Sequence, residues 1–366
     1  MEFIKSNTLD PKVYQNYLND LGDYSFYHTQ YVLDYYSKST TTVDLSFFCM
    51  ERGLVCGFAS LGLHLEKNNI TFHMSCHMPI VKKNIIGRER KKILKKIFNE
   101  IYKIIFKNDI ECYNFFYHPV VFKGDNSSVD LDDDIRIDYK NSFQFLNFFD
   151  VETVTINVNL MDLREKENIF NKRLYRVLNN EIHNVKNKVI HFKSINNINS
   201  TKDEIKKNFL NYKDFHFKSA GRLTRPENSW SSMLQLLQDG KATLFTLQHE
   251  DVFLSYLLCF EHKKYAMCAS QTSTTNKKLL QKFELRHFIE QKTIEYYKER
   301  GFFFYEIGQS YFFDKDFKKT EDKHKRIGLN KLKYGSDLFP VHYFKFTKKN
   351  KSIFDNEHKF IVENEF

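Results

Sequence analysis

A short basic loop in the second half of the chain could bind an anion. Arg222 and Arg225 flank Thr224, and Pro226 closes the loop. Two guanidinium groups three residues apart can hold a diphosphate or a carboxylate through paired hydrogen bonds. The alternative is a solvated loop whose arginines pair with nearby acids. We predict that Arg222, Thr224 and Arg225 bind the anionic part of a substrate.

A carboxylate and two phenols are candidates for the catalytic groups. Glu306 interrupts the apolar run 302–307, where an unpaired charge would be costly. It could act as a base or orient an acceptor, or it could lie on an exposed face or pair with an arginine. Tyr256, in a predicted strand, and Tyr311, five residues after Glu306, could donate hydrogen bonds to an acceptor. Glu306, Tyr256 and Tyr311 are therefore the predicted catalytic residues.

A basic segment follows towards the C-terminus. It contains Arg326, Lys331 and Lys333. Such a cluster favours the phosphates of a nucleotide-sugar or lipid-diphosphate acceptor, although it could equally be the solvated face of a helix.

The histidines and cysteines are not arranged for a metal ion. His73, Cys76 and His77 lie close together in a predicted strand, with His118 further along the chain. Because side chains alternate along a strand, Cys76 and His77 would point to opposite faces. No metal site is predicted. The six cysteines show no CxxC spacing and lie in apolar runs, which is typical of reduced core residues in a cytoplasmic protein.

The composition indicates a folded protein with more than one domain. A chain of 366 residues is too long for one ordinary compact domain. Its 12 glycines and 5 prolines are too few for a collagen-like or linker-rich chain, and 42% hydrophobic residues suffice for buried cores. We expect a cytoplasmic location, because the N-terminus lacks a signal-peptide pattern and no apolar run could span a bilayer. The net charge of +10 favours anionic partners.

Two segments of the chain repeat one order of predicted elements. In the first, strands at 43–50, 54–61 and 70–79 precede a helix at 87–106 and a strand at 110–117. In the second, strands at 242–248, 252–261 and 265–271 precede a helix at 277–300 and a strand at 302–307. The repetition indicates a duplicated α+β unit, with coincidence as the alternative. We predict an N-terminal domain at 1–150 and a C-terminal domain at 151–366, the last strand being free to return towards the first domain.

The helix predicted at 87–106 is amphipathic. One side carries Arg88, Arg90, Lys91, Lys92, Lys95 and Lys96, and the other Ile93, Leu94, Ile97, Ile101, Ile104 and Ile105. Such a helix could rest on an anionic membrane that carries a lipid-linked substrate. More often it packs on a sheet with its lysines outward, so peripheral membrane contact is kept as an alternative.

Four motifs resemble the FemAB-like branch of the GNAT acyltransferase superfamily, in which two GNAT-type domains share one chain. They are Lys172-Arg173 with Arg176 on a central helix, AGRLTRP at 220–226, GFFFYEIG at 301–308 and RIGLNKLKYG at 326–335. The last is similar to the family's GLxxFKxxFG element: Lys331 falls on its lysine, whereas Arg326 and Asn330 depart from it. The resemblance covers about residues 25–345. It implies an α+β fold of two tandem GNAT-like domains, with mixed, largely antiparallel sheets flanked by helices.

The resemblance also implies an activity. FemAB-like and GNAT proteins transfer acyl groups to amines, which here implies an N-acyltransferase that moves an acetyl or similar group from acyl-CoA onto a nucleotide- or lipid-linked amino sugar in cell-surface polysaccharide biosynthesis. Lys331 then joins the predicted substrate-binding residues. The stretch 271–278 stands where coenzyme A-dependent GNAT enzymes hold the pyrophosphate. Gln271, Thr272 and Lys277 are therefore expected to bind the donor, although the stretch lacks the family's glycines.

Two other functions stay open. A tRNA-dependent aminoacyltransferase acting on a peptidoglycan precursor would use the same fold, but such proteins often insert a coiled-coil arm, and the stretch 200–217 is too short for one. A non-catalytic RNA- or glycan-binding protein on a degenerate GNAT fold would also suit the basic charge and abundant Tyr and Phe. Steep salt dependence of RNA binding would distinguish this last function.

Overall fold

The computed structural model describes most of the chain. The described residues are 1–40, 42–72, 76–110, 112–118, 120–124, 135–137, 152–164, 190–276, 285–310, 328–329, 331, 334 and 337–347. Several residues named above lie outside them: His73, Lys172, Arg173, Arg176, Lys277, Tyr311, Arg326, Asn330 and Lys333. Within the described residues, no helix has the length and apolar character needed to cross a bilayer.

The elements up to residue 162 are mostly short strands. The helices are α1 (Pro11–Leu21), α2 (Gln30–Ser39) and α3 (Gly87–Lys107), with single 3-10 turns at Ser6–Thr8 and Phe26–His28. The strands are β1 (Glu2–Lys5), β2 (Asp23–Tyr24), β3 (Thr42–Asp44), β4 (Phe47–Glu51), β5 (Leu54–Ala59), β6 (Gly62–His64), β7 (Asn69–Ile70), β8 (Cys76–His77), β9 (Ile80–Val81), β10 (Cys112–Tyr117), β11 (Val120–Lys123), β12 (Ile135–Ile137) and β13 (Glu152–Asp162).

The elements after residue 162 are longer. The strands are β14 (Ile190–Ile195), β15 (Ala242–His249), β16 (Val252–His262), β17 (Tyr265–Ser273), β18 (Phe304–Ser310) and β19 (Asp337–Thr347). The helices are α4 (Lys202–Ala220), α5 (Glu227–Gln238) and α6 (Leu285–Glu299).

The chain divides into two compact units. The first comprises Met1–Ile156, Phe313–Lys318 and Pro340–Phe366, and the second comprises Asn157–Phe312 and Lys319–Phe339. The change from one unit to the other thus falls within β13. The last strand, β19, pairs with β10 of the first unit from His342 to Thr347.

The first unit contains a four-stranded sheet in the order β1-β4-β5-β9. Helix α3 packs on β5 and β9 and buries Ile93, Ile97 and Ile101, while its lysines stay at least partly exposed. A Cβ atom at Gly57 would lie 2.7 Å from Ile97 Cδ1, so this glycine allows the helix to approach the sheet. The apolar stripe predicted a helix at 87–106, and the helix in the structure ends one residue later, at Lys107.

Two predicted strands of the first unit are wrong. The strand predicted at 43–50 is interrupted, because β3 ends at Asp44 and β4 begins at Phe47, and the two belong to different sheets. The segment 70–79 was expected to form a single strand, but the structure has β7 ending at Ile70 and β8 at Cys76–His77. Both pair in parallel with β10, at different positions along it. After Ile70, Thr71 donates its N–H to the Gly62 carbonyl, and Phe72 lies against Gly62. The interruption therefore depends on packing against another strand, which apolar periodicity does not record.

The second unit is built on a sheet in the order β14-β15-β16-β17-β18-β13. All neighbouring pairs are antiparallel except β17 and β18, which run parallel. Helix α6 covers one face of this sheet and closes a core that includes Leu257, Ile289 and Tyr297. The other face is covered by α4 and α5: Tyr256, next to Leu257, contacts Tyr212 of α4.

Local capping sets the ends of α4 and therefore the start of the basic loop. Thr201 Oγ1 accepts a hydrogen bond from the Glu204 N–H, and Glu204 Oε2 accepts one from the Thr201 N–H at 2.8 Å. The helix ends at Gly221, whose φ of +67° is the left-handed conformation that glycine adopts most readily. Arg222 follows at once, so the loop begins where the helix must stop.

Candidate active site

The two parallel strands of the second unit separate part-way along their length. Their pairing runs from Tyr265–Phe304 to Met267–Glu306 and then ends. Strand β17 continues to Ser273 and β18 to Ser310. Beyond Met267 the two strands therefore no longer pair with each other. We call the space between residues 268–273 and 307–310 the strand opening.

Lys331 lies at the strand opening. Its Nζ donates a hydrogen bond to the Gln309 carbonyl at 2.8 Å. Gly308 has a φ of +103°, and a Cβ atom there would lie 3.0 Å from Lys331 Nζ, so any larger residue would crowd the ammonium. Burial lowers the pKa of Lys331, while Cys268, Glu306 and Glu290 act in the opposite direction. The ammonium is thus a fixed, partly desolvated cation.

A bulge gives β18 its shape at this point. Asn159 of β13 is opposite Gly308, but the next residue, Leu160, is opposite Glu306, so Ile307 is the extra residue. The Asn159 side chain donates hydrogen bonds to the Gly308 carbonyl at 2.8 Å and to Ser310 Oγ at 2.7 Å. The backbone that accepts the Lys331 hydrogen bond is therefore held by a buried amide from the neighbouring strand.

Glu306 lies at the last paired position before the strand opening. It is buried, with 1% of its surface exposed, which excludes the exposed-face alternative. Tyr265 Oη donates a hydrogen bond to Glu306 Oε2 at 2.5 Å, and Lys331 is near enough to interact with the carboxylate electrostatically. The structure thus brings together two of the predicted site residues, Glu306 and Lys331.

The predicted basic loop lies beside the end of β17. Ser219 Oγ, in the last turn of α4, donates a hydrogen bond to the Ser273 carbonyl at 2.9 Å. The loop starts two residues later, and Arg222 and Thr224 are exposed. The predicted donor residues Gln271 and Thr272 occupy the same end of β17, Gln271 exposed and Thr272 buried.

Arg225 is held by two side chains. Its guanidinium lies 5.5 Å from the centre of the Trp230 ring and contacts His216, with Nη1 3.3 Å from Nε2. Because a guanidinium can only donate, His216 Nε2 accepts, and Nδ1 carries the hydrogen that faces Thr224 Oγ1 at 3.4 Å. Burial first, and then Arg225, lower the pKa of His216 to about 4. The imidazole is therefore neutral and orients the loop.

Tyr256 is not brought together with Glu306 by any described contact. It is fully buried among aromatic rings that include Phe215 and Phe253, and burial raises its pKa. Its hydroxyl has no hydrogen-bond partner within the described part of the chain. The other predicted catalytic phenol, Tyr311, lies outside the described residues.

Two buried histidines of the first unit, His28 and His77, hydrogen-bond to the backbone. His77 Nε2 accepts the His118 N–H at 3.2 Å, and its Nδ1 donates to the Met78 carbonyl. His28 accepts the Ser25 N–H at Nδ1 and donates to the same carbonyl from Nε2. Each accepting nitrogen is thus already occupied by a backbone donor. Within the described ranges, no group of three or more His, Cys, Asp or Glu side chains could hold a metal ion.

Solved structures share this arrangement of elements. FemX matches over 98% of this chain and 100% of its own, with a TM-score of 0.59 and 12% identity. L-PGS from Bacillus licheniformis matches over 97% of this chain and 98% of its own, with a TM-score of 0.55 and 9% identity. A tandem GNAT protein from the clavulanic acid biosynthesis pathway matches over 94% of this chain and 98% of its own, with a TM-score of 0.52 and 13% identity. The chain has a FemAB-like fold of two tandem GNAT-type domains. No protein-family model and no curated protein sequence matches it significantly.

Sequence reasoning missed one group in the second GNAT-type unit. Glu290 of α6 is 2% exposed, and its Oε1 accepts a hydrogen bond from Tyr305 Oη at 2.6 Å. Burial raises the pKa of Glu290 to about 7, although Tyr305 and Lys331 lower it. A signal was present in the sequence: Glu290 shares a helix face with Ile294 and Tyr297, so a carboxylate interrupts an apolar stripe.

Proposed function

We propose that the chain is an acyltransferase that moves an acetyl or similar group from acyl-CoA onto the amine of a nucleotide- or lipid-linked amino sugar in cell-surface polysaccharide biosynthesis. The observation that carries this proposal is the strand opening with the Lys331 ammonium fixed at it. Beyond Met267 the facing backbones do not pair with each other, so an extended thioester arm could hydrogen-bond to them as a strand would.

Lys331 supplies the charge that the reaction needs. When an amine attacks the acyl carbonyl, negative charge develops on the carbonyl oxygen, and a preorganised cation in a partly dry site stabilises it. The ammonium is held by the Gln309 carbonyl and flanked by Glu306, so little reorganisation is required. The same charge could bind a phosphate of the acceptor, the role expected from sequence.

The basic loop is the proposed acceptor site. Arg222 and Thr224 are exposed beside the end of β17, and Arg225 is oriented by His216 and Trp230. Guanidinium groups bind phosphates with paired hydrogen bonds. A diphosphate-linked sugar bound here would bring its amine to the end of β17 where Gln271 and Thr272 lie.

An aminoacyl donor is the second candidate. One structure with a similar fold is the C-terminal domain of a putative lysylphosphatidylglycerol synthetase, with 9% identity and a TM-score of 0.55. The name of that protein favours aminoacyl transfer to a lipid. The segment 271–276 also contains no glycine to hold a coenzyme A pyrophosphate. Under this alternative the strand opening would receive the aminoacyl end of a tRNA, and the acceptor would be a lipid- or peptidoglycan-linked amine.

Calorimetric titration with acetyl-CoA, followed by measurement of released coenzyme A with a panel of nucleotide-linked amino sugars, tests the proposal. We expect saturable micromolar binding and amine-dependent release. Lys331→Ala should abolish turnover, whereas Lys292→Ala, which removes an ion pair on the surface of α6, should not. If acetyl-CoA does not bind but an aminoacyl group is transferred from aminoacyl-tRNA, the donor is aminoacyl-tRNA and not acyl-CoA. If neither donor is turned over and the protein binds RNA with a steep salt dependence, the chain is a binding protein and not an enzyme.

A further inference from the structure

The solvent side of α3 carries a row of cations. Its members, which we call the cation row, are Arg88, Lys92, Lys95 and Lys103, all of them exposed. Spacings of three, four and eight residues keep them on one side of the helix, over a length of about 22 Å. The buried residues Ile93, Ile97 and Ile101 lie on the opposite side, where α3 packs on the sheet. A partner can therefore reach α3 only through its polar side.

The cation row is only weakly neutralised by carboxylates. Lys103 forms an ion pair with Glu100 at 2.9 Å, whereas Arg88, Lys92 and Lys95 form no ion pair with any residue that the structure describes. Helix α3 contains eight basic and two acidic residues, which is a large share of the net charge of +10 on the whole chain. The excess positive charge is thus concentrated on this helix.

Two exposed aliphatic side chains lie next to the cation row. Ile86, one residue before α3, is 76% exposed. Leu54 is 68% exposed and pairs with Glu51 across the β4–β5 hairpin, and Glu51 forms an ion pair with Lys96 of α3 at 3.7 Å. The tip of this hairpin adds a further exposed cation, Arg52. The cation row, Arg52, Leu54 and Ile86 form a surface of the first unit that we call the basic face.

We propose that the basic face docks on a lipid bilayer that contains anionic lipids. The cation row and Arg52 lie at the negatively charged headgroups, which attract each cation close to them. Ile86 and Leu54 enter the boundary between headgroups and acyl chains, where their apolar surface leaves water. This inference goes beyond acyl transfer and does not depend on it, because every residue of the basic face belongs to the first unit.

The basic face fits a bilayer better than it fits a nucleic acid. Proteins that bind single-stranded nucleic acid place aromatic rings against the bases. In the described part of the first unit, the large apolar side chains that are exposed are all aliphatic. Cations beside exposed aliphatic side chains provide what a membrane surface requires, which is charge attraction together with a small apolar contact.

Cosedimentation with lipid vesicles is the first test. We expect the full chain to bind phosphatidylcholine vesicles that contain about 30% phosphatidylserine, to ignore vesicles of phosphatidylcholine alone, and to be released as the salt is raised from about 0.1 M to about 0.5 M. The combined substitution of Arg88, Lys92 and Lys95 by glutamine should weaken binding about 10²-fold, because each cation near an anionic surface contributes about fivefold. All three side chains are exposed, so the fold should be retained, which circular dichroism checks.

A matched control removes the same charge elsewhere. Lys202, Lys206 and Lys207 are exposed lysines of α4 in the second unit. Their combined substitution by glutamine changes the net charge as much as the first triple variant does. It should leave vesicle binding within about twofold of wild type, because the attraction to the lipid headgroups falls off within a Debye length.

The second test measures insertion of the aliphatic side chains. Ile86→Trp introduces an indole on the basic face, and we expect its fluorescence to move to shorter wavelength when anionic vesicles are added, because the indole leaves water. The native Trp230 is 2% exposed, so its emission should stay constant. Ile198→Trp is the control: Ile198 is 70% exposed but lies in the second unit, and its indole should not respond.

The proposal is overturned by any of three results. The protein fails to bind anionic vesicles, whether or not it binds RNA. The two triple variants lose vesicle binding equally, so that only net charge matters. The Ile86→Trp emission responds no more than that of Ile198→Trp. None of these results bears on acyl transfer, and a failure to detect turnover leaves the vesicle measurements unchanged.

Discussion

Replacing Glu290 by glutamine should stabilise the second unit, and more so at high pH. Burial raises the pKa of Glu290 from 4.5 to about 7, so the folded state holds a proton that the unfolded state releases. The contribution of this proton to the free energy of unfolding is fully present below pH 4.5 and is lost as the pH rises through 7. At 1.36 kcal/mol per pKa unit, ionisation of this group costs about 3 kcal/mol at pH 8 and about 1 kcal/mol at pH 5. Glutamine retains the acceptor for Tyr305 Oη and avoids that cost.

Urea unfolding at pH 5 and pH 8 measures this effect. The only tryptophan, Trp230, lies in α5 of the second unit, so its fluorescence follows this unit. The gain in unfolding free energy on Glu290→Gln should be about 2 kcal/mol larger at pH 8 than at pH 5. The control is Glu295→Gln on the same helix, whose exposed ion pair with Lys292 is worth less than about 1 kcal/mol. An equal gain at both pH values, or a loss at pH 8, would refute the assigned charge state of Glu290.

Three further predictions concern other parts of the chain. Gly308→Ala should lower the free energy of unfolding by about 1–2 kcal/mol, because the residue has a φ of +103°, and should also impair turnover by displacing Lys331. Gly221→Ala is the control: its φ is +67° with open space around it, so the substitution should lower stability but not turnover. Unfolding and turnover are measured on both variants. Burial lowers the pKa of His28 to about 4, so this imidazole takes up a proton at pH 5 only when the first unit unfolds. Lowering the pH from 7.5 to 5 should therefore reduce the free energy of unfolding of that unit by about 2 kcal/mol, measured by hydrogen exchange. His28→Gln should make this reduction smaller. Tyr256→Phe should leave the free energy of unfolding within about 0.5 kcal/mol of wild type, because the buried hydroxyl has no hydrogen-bond partner in the described residues; a loss above about 1 kcal/mol would contradict this.

The site was only partly predictable from sequence. Lys331 and Glu306 were expected to be functional, and the structure places both at the end of the parallel strand pair. The basic loop was also predicted, but its support by His216 and Trp230 was not. The roles of these residues stay predictions until turnover is measured.

The sequence by itself predicted the long helix α3, the hairpin strands β15 to β17 and a fold of two tandem domains, because the pattern of apolar residues sets local structure. The stripe of α3 reflects the side of the helix that must be buried, and the continuous apolar runs of β15 and β16 reflect strands that are buried on both faces. Only the tertiary structure decided which side chains meet. Glu290 reaches Tyr305 across 15 positions, Lys331 reaches Gln309 across 22 and Tyr265 reaches Glu306 across 41. These meetings depend on strand register and on the extra residue Ile307 in β18. A shift of one position in a strand would turn every side chain to the other face while leaving its apolar content unchanged.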